Sequence, residues 1–284
     1  MGGTFLFALK SIFIKLAYAA GTDAETLLAL RMLIALPFYA GMLAYLQARG
    51  TLGGPLPGTK VLRILMYGFL GYYLASILDL WGLELISAQL ERLTLFSYPT
   101  MIAVLAWLFL GERLTGRILS SLALSYLGIW VMFSQETQLT GTAQTLTGVL
   151  LVLGAALSFS VYVILAKPLI ESLGSRTFTS LAMLGSTLFV LAHFAAVRPL
   201  SALAVSAEIW GYAFLLAFVS TVVPSFMVSE AIARIGPTRT TIFGSVGPVF
   251  TLFLAVVWLG EPSSLAHWLG TLLVIVGVTL VSRK

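Results

Sequence analysis

The chain has no cysteine, only two histidines, and charges on just 10% of its 284 residues. Each shortage excludes something. Without cysteine there are no disulfides, no thiolate metal sites and no cysteine nucleophile. His193 and His267 share no cluster with acidic residues, so neither a metal site nor a cofactor is expected. Against so few charges stand 59% hydrophobic residues and a mean hydropathy of +1.02. That leaves too little polar residue to cover a globule of this size in water, so the expected surroundings are a lipid bilayer. The net charge of +5 does not indicate a nucleic-acid partner, because the basic residues are spread one to three per loop and form no patch. No short charged-then-apolar leader with a small-residue cleavage site precedes the first apolar segment, which reads as a retained span.

What is present is a repeat. Ser97-Tyr98-Pro99 running to Leu110-Gly111-Glu112 recurs as Gly247-Pro248 running to Leu259-Gly260-Glu261, with proline and the Gly-Glu pair thirteen residues apart in both copies. The offset of 149 residues also superposes Leu105 on Leu254, Ala106 on Ala255, Leu124 on Leu273 and Gly128 on Gly277. A bilayer-spanning helix needs about 20 mostly apolar residues. Ten such windows fall at 4–20, 26–47, 61–81, 86–110, 115–134, 147–166, 177–197, 208–230, 236–259 and 264–281. Open sheet edges are untenable in lipid, so the expected class is all-α integral membrane. Eleven Lys and Arg residues lie on one side of these windows and only Arg198 on the other, which predicts cytoplasmic N- and C-termini. Five spans per repeat is an odd number, so the copies cross in opposite senses: ten transmembrane helices as two inverted five-helix repeats, 1–134 and 147–284. The linker 135–146, polar and free of positive charge, is expected outside. Inverted repeats of this kind are a common build of secondary transporters, with a small-molecule substrate bound near the midplane.

The duplicated pattern of Pro, an apolar stretch, Leu-Gly-Glu, a polar turn and a Gly-containing helix, together with Ala29-Leu30-Arg31-Met32 in the second window, resembles the EamA-type exporters of the drug/metabolite transporter superfamily. The likeness covers essentially the whole chain, although the first window lacks the Trp-Gly start of many members, and either Lys10 or Lys15 matches that family's lysine there. It implies ten helices, a bacterial inner-membrane location, a cavity lined by helices 1, 3, 4, 6, 8 and 9, and export of amino acids, other metabolites or drugs.

Several residues carry candidate chemistry. Pro99 and Pro248 fall inside expected helices, where proline frees the carbonyl four residues earlier, at Leu95 and Gly244. Two such prolines at repeat-equivalent positions, one within Gly244-Ser245-Val246-Gly247-Pro248, point to a kinked cavity wall; close helix packing through the glycines is the rival reading. On the window 86–110, Ala88, Glu91, Thr94, Leu95, Tyr98 and Ile102 share a face continuous with Glu84, and Arg92 lies a quarter-turn away. Glu91 is the only carboxylate placed clearly within the hydrocarbon. It admits two readings, a structural partner of Lys10 or Lys15, or a group contacting substrate or protons. Arg92 reads as structural, with Asp79 as partner. The equivalents in the second half, Thr240, Thr241, Phe243, Gly244 and Gly247, include no acid.

On 61–81, Gly68, Tyr72, Ala75, Ser76 and Asp79 share a face, with Asp79 expected near the outer interface. Thr221, Pro224, Ser225 and Val228 hold comparable positions on 208–230, and Ser158 and Tyr162 share a face on 147–166. For Ser76 and Ser225, packing is the competing reading. Lys15 is expected to snorkel to the outer headgroups, and Arg31 to anchor its helix to headgroups or to Asp23 and Glu25. Glu230 and Arg234 form an i, i+4 pair, and Glu112 and Glu261 read as hinges or caps.

The expected substrate-binding set is Lys10, Tyr72, Ser76, Asp79, Glu91, Thr94, Tyr98, Tyr162, Thr221, Ser225, Phe243 and Ser245, with hinges at Pro99, Gly244, Gly247 and Pro248. The expected function is export of small metabolites, amino acids including aromatic ones and also organic cations, by alternating access. The alternatives are a sugar-phosphate or nucleotide-sugar exchanger using Lys10 and Arg92, or an integral-membrane enzyme, for which the sequence shows no nucleophile, metal cluster or acid/base constellation.

Overall fold

The computed structural model describes residues 2–50, 56–111, 113, 115–244 and 247–282, with the side chains of 2–5, 7, 110, 232, 235–244 and 281–282 outside the description. No strand occurs among these residues. The helices are α1 (Gly2–Ala19), α2 (Ala24–Ala48), α3 (Gly58–Leu85), α4 (Ala88–Leu95), α5 (Tyr98–Leu110) and α6 (Gly116–Thr140). They continue with α7 (Thr142–Leu173), α8 (Ser175–Val197), α9 (207–244), α10 (Gly247–Leu259) and α11 (Leu265–Ser282). Among the described residues, seven segments are long and apolar enough to cross a membrane, and Gly247–Leu259 and Leu265–Leu280 are shorter apolar helices.

Local chemistry explains the ends. Asp23 caps α2 by accepting from the Thr26 N–H at 2.9 Å. At the other kind of end, α5 and α10 both stop at a glycine in the left-handed region, Gly111 at φ 68° and Gly260 at φ 66°. These glycines are repeat-equivalent. So are two π-helical turns, Phe69–Leu74 within α3 and Phe218–Val222 within α9, which begin 149 residues apart. The duplication of sequence is therefore matched by a duplication of local backbone geometry, including turns that recur at functional sites in other helices.

Several expectations about helix boundaries are revised. The window 86–110 is two helices, because the chain leaves the helix at Phe96 and Ser97 and restarts at Tyr98. Pro99 cannot offer an N–H to the Leu95 carbonyl, and in the first turn of α5 that missing donor is not needed. Pro99 is thus a helix start rather than a kink inside one; for Pro248, residues 245 and 246 just before it lie outside the described residues. Glu84 belongs to α3, and extended Ile86 (φ −128°, ψ 165°) separates it from α4, so the polar face from 84 to 102 is not continuous. The stretch 135–146 is helical on both sides of Gly141 (φ 85°), since threonine and glutamine permit the helical conformation and this glycine turns the chain. Finally, α9 runs without interruption to Gly244, across the expected break between 230 and 236.

Helix α1 lies at the centre, packed against α3, α4, α9 and α10. Its apolar face, including Ile12, Phe13, Ile14 and Ala17, belongs to a core with Leu27, Leu28 and Leu30 of α2 and Ala213, Leu216 and Ala217 of α9. Helices α6 and α11 pack closely along their length. There a Cβ on Gly128 would lie 2.6 Å from the Gly270 carbonyl oxygen and 2.8 Å from the Val274 side chain, and the Ser121 hydroxyl donates to the Gly277 carbonyl at 2.5 Å. Small residues permit such approach in a membrane, where apolar burial alone does not drive helices together. Gly128→Val is expected to lower stability by about 1–3 kcal/mol, read as a fall in the melting temperature of detergent-solubilised protein. Gly41→Ala, with nothing within 4 Å of its added Cβ, should melt like the parent.

Candidate functional site

Two groups of side chains meet on either side of the break between α4 and α5. The first is charged. From α1 come Lys10 and Ser11, from α3 Asp79, and from α4 Glu91, Arg92 and Thr94. Lys10 Nζ pairs with Asp79 Oδ2 at 2.5 Å. The Ser11 hydroxyl donates to Glu91 Oε2 at 2.6 Å and accepts from Arg92 Nη2 at 2.6 Å, so one hydroxyl joins acid to base. Arg92 Nε lies 4.0 Å from Glu91 Oε2. All are deeply buried: Ser11, Glu91 and Thr94 are 0% exposed, Asp79 1% and Arg92 5%. The Asp79 and Glu91 carboxyls also neighbour one another, yet Asp79 Oδ1, Glu91 Oε1 and Thr94 Oγ1 each lack a hydrogen-bond partner. Buried ions at membrane depth are tolerable only when paired and hydrogen-bonded.

Helix α4 is held by its first turn. The Ser87 side chain accepts from the Leu90 N–H, and Glu136 of α6 accepts from both the Ser87 N–H (2.7 Å) and the Ser87 hydroxyl (2.8 Å). Glu261, between α10 and α11, accepts from the N–H groups of Ala88 (2.7 Å) and Gln89 (3.2 Å), while the Gln89 amide donates to the Pro262 carbonyl. Carboxylates complement the positive end of a helix dipole and satisfy its orphan donors. Glu261 is therefore a cap, and the helix it caps is in the other half of the chain; Glu112 lies outside the described residues.

The second group is aromatic. The Tyr72 and Tyr162 hydroxyls are 2.8 Å apart and their rings 5.1 Å, and the series continues from Tyr162 to Phe159 (5.6 Å), Tyr98 (5.4 Å) and Phe96 (5.6 Å). These tilted and edge-to-face contacts are the favoured geometry for rings. Gly71 makes room for the fully buried Tyr162, whose ring a Cβ there would overlap. Ser158 donates to the Leu70 carbonyl at the π turn of α3, and Ser160 to the Tyr98 carbonyl, which ties α7 to both elements of the wall.

Of the expected residues, Lys10, Asp79 and Glu91 are thus joined in one buried cluster, and Tyr72, Tyr98 and Tyr162 in one aromatic series. Thr221 donates to the Leu216 carbonyl, Ser225 pairs at 2.8 Å with Tyr39, which neighbours Tyr72 and Tyr162, and Ser76 is half-buried on α3. The Phe243 side chain and Ser245 lie outside the described residues, Gly244 has helical backbone, and Gly247 and Pro248 are buried. Glu230 and Arg234 form the expected pair at 2.6 Å.

Four electrostatic expectations are corrected. The pairing is exchanged, with Lys10 on Asp79 and Glu91 with Ser11 and Arg92, because α1 crosses α3 and α4 at different heights. Asp79 is buried rather than interfacial. Lys15 is half-buried within the bundle, in the electrostatic field of Glu261 and Glu136. Arg31, expected as an anchor, is 4% exposed, and Arg198 takes the role of partner to Asp23 and Glu25 (3.6 and 3.3 Å). Ser11 was not in the expected set; a lone hydroxyl beside Lys10 in an otherwise apolar stretch was its only signal.

Asp79→Asn would strand the Lys10 ammonium. Breaking a buried pair costs about 3–5 kcal/mol, so the melting temperature should fall well below the parent's, and Lys10→Met in the same molecule should restore most of the loss. A double variant no more stable than Asp79→Asn would show that this pair is not the source of the loss.

Comparison with known proteins agrees with this architecture. Residues 1–134 and again 146–283 match the EamA-like transporter family. An uncharacterized transporter, YcbK, of Bacillus subtilis is 28% identical over 94% of this chain and 86% of its own length. A probable terminal-alkyne amino-acid exporter of Streptantibioticus cattleyicolor is 29% identical over 84% of this chain and 78% of its own. One crystal structure, 18% identical, superposes with a TM-score of 0.68 over 98% of this chain and 93% of that one, which shows a shared fold. The chain belongs to the EamA-like transporter family of the drug/metabolite transporter superfamily and is a multi-pass membrane transporter.

Proposed function

We propose that this transporter exports amino acids, those with aromatic or apolar side chains foremost, by alternating access between two inverted five-helix halves. The observation that carries this reading is the adjacency of charge and aromatic surface: Arg92 and Thr94 end α4, Tyr98 begins α5, and only Phe96 and Ser97 separate the two helices. An amino acid presents the same pairing, a charged head on an apolar body. Ring faces also attract cations by roughly 0.5–2 kcal/mol, which admits organic cations as secondary substrates. The relative named as a probable amino-acid exporter supports the substrate class. The inverted arrangement is supported by the repeat-equivalent π turns and left-handed glycines. It is further supported by the eleven-to-one distribution of basic residues, which argues for cytoplasmic termini in a bacterial inner membrane.

Counterflow in proteoliposomes, with neutral and charged amino acids, organic cations and sugar phosphates offered in parallel, tests the substrate class; exchange restricted to sugar phosphates would reject it. Tyr98→Ala should leave the protein in the membrane and shift its preference away from aromatic substrates by several-fold or more, and a Tyr98→Ala protein with an unchanged substrate profile would remove the aromatic wall from the site. For topology, single cysteines at positions 140 and 284 are expected to react with an impermeant maleimide from outside intact cells at 140 only.

A further inference from the structure

Among the buried cations near Asp79, Lys10 is paired with Asp79 and Arg92 with Glu91, and Arg31 is left without a carboxylate of its own. Arg31 stands seven residues into α2, about 10 Å along the helix from its start, in the midst of Leu27, Leu28, Leu30 and Met32 of the core. It is 4% exposed, its Nε has no hydrogen-bond partner, and it makes no ion pair among the described residues. The groups whose charge or hydroxyl it faces are Asp79, Tyr39 and Tyr18. Each is engaged elsewhere. Asp79 Oδ2 holds Lys10, the Tyr39 hydroxyl is paired with Ser225, and the Tyr18 hydroxyl donates to the Leu80 carbonyl.

A guanidinium this deeply buried without an ion pair is costly, and its planar fork of donors matches the two oxygens of a carboxylate. Close by, the Asp79 and Glu91 carboxyls face one another, and Asp79 Oδ1 and Glu91 Oε1 receive no N–H donor. One cation without an ion pair and two such carboxyl oxygens are what the ionised carboxylate and ammonium of an amino acid would complete. We propose that Arg31 is the receptor for the substrate's carboxylate, with the substrate's ammonium directed to Asp79 and Glu91. This rests on the amino-acid reading above and gives it a binding mode.

The test uses purified full-length protein, thermal shift in detergent and counterflow in proteoliposomes, with phenylalanine, phenylalaninamide, 3-phenylpropionate and inorganic phosphate as probes. The parent should be stabilised by phenylalanine and 3-phenylpropionate and bind phenylalaninamide at least tenfold more weakly than phenylalanine. Arg31→Gln should lose response to both carboxylates while its affinity for the amide changes less than threefold. If Arg31→Gln does not fold, Arg31→Lys, a single point charge in place of a fork, should show a partial loss of the same selectivity, and the parent's preference for phenylalanine over its amide remains decisive. Equal handling of acid and amide by the parent, unchanged phenylalanine binding in Arg31→Gln, or protection by phosphate alone overturns the assignment. The two proposals fail separately. Transport of amino acids with no acid–amide preference leaves export standing and removes Arg31. Arg31-dependent stabilisation by 3-phenylpropionate without amino-acid transport does the reverse.

Discussion

A helix that begins inside a protein has N–H groups that water cannot reach, and here the first turn of α4 is satisfied by two carboxylates from distant parts of the chain. Glu136 takes Ser87 and Glu261 takes Ala88 and Gln89. Everything in the site hangs from this connection, because α4 carries Glu91, Arg92 and Thr94 and leads directly into Tyr98. The link also joins the halves: Glu261 belongs to the second and α4 to the first. Loss of either carboxylate would leave buried donors unsatisfied, at a cost of about 1–3 kcal/mol for each, and would free the helix that places the charges.

The duplicated scaffold has diverged into two chemically different poles. With the offset of 149, Lys10 corresponds to Phe159, Arg31 to Ser180, Asp79 to Val228, and Glu91 and Arg92 to Thr240 and Thr241. The first copy has kept charge at these positions and the second has none. Phe159 contributes to the aromatic wall at the place where the first copy contributes the lysine. Ser11 and Ser160, also equivalent, remain hydroxyls that bridge between helices, the first to Glu91 and the second to the Tyr98 carbonyl. One backbone plan thus serves a charged surface and an apolar one.

Ion pairing inside the protein follows from the position of α1. It packs against α3, α4, α9 and α10, and the charge of Lys10 is met within the protein by Asp79. Arg31 is enclosed in the same way by the α1, α2 and α9 core. In an isolated helix both side chains would snorkel to the interface.

Hydropathy and periodicity alone determined the solvent, the helical class and the repeat, because bilayer thickness and backbone hydrogen bonding leave few other solutions for apolar runs of this length. They also identified Lys10, Asp79, Glu91 and the tyrosines, since ionisable groups in such runs stand out individually. The partners were not legible: that Lys10 meets Asp79, that Ser11 joins Glu91 to Arg92, that Arg31 is enclosed and that Glu261 caps the other half. Those facts depend on the relative height and rotation of helices whose contacting residues are 69 to 173 positions apart in the chain, and side-chain packing between helices, which no local pattern encodes, decided them.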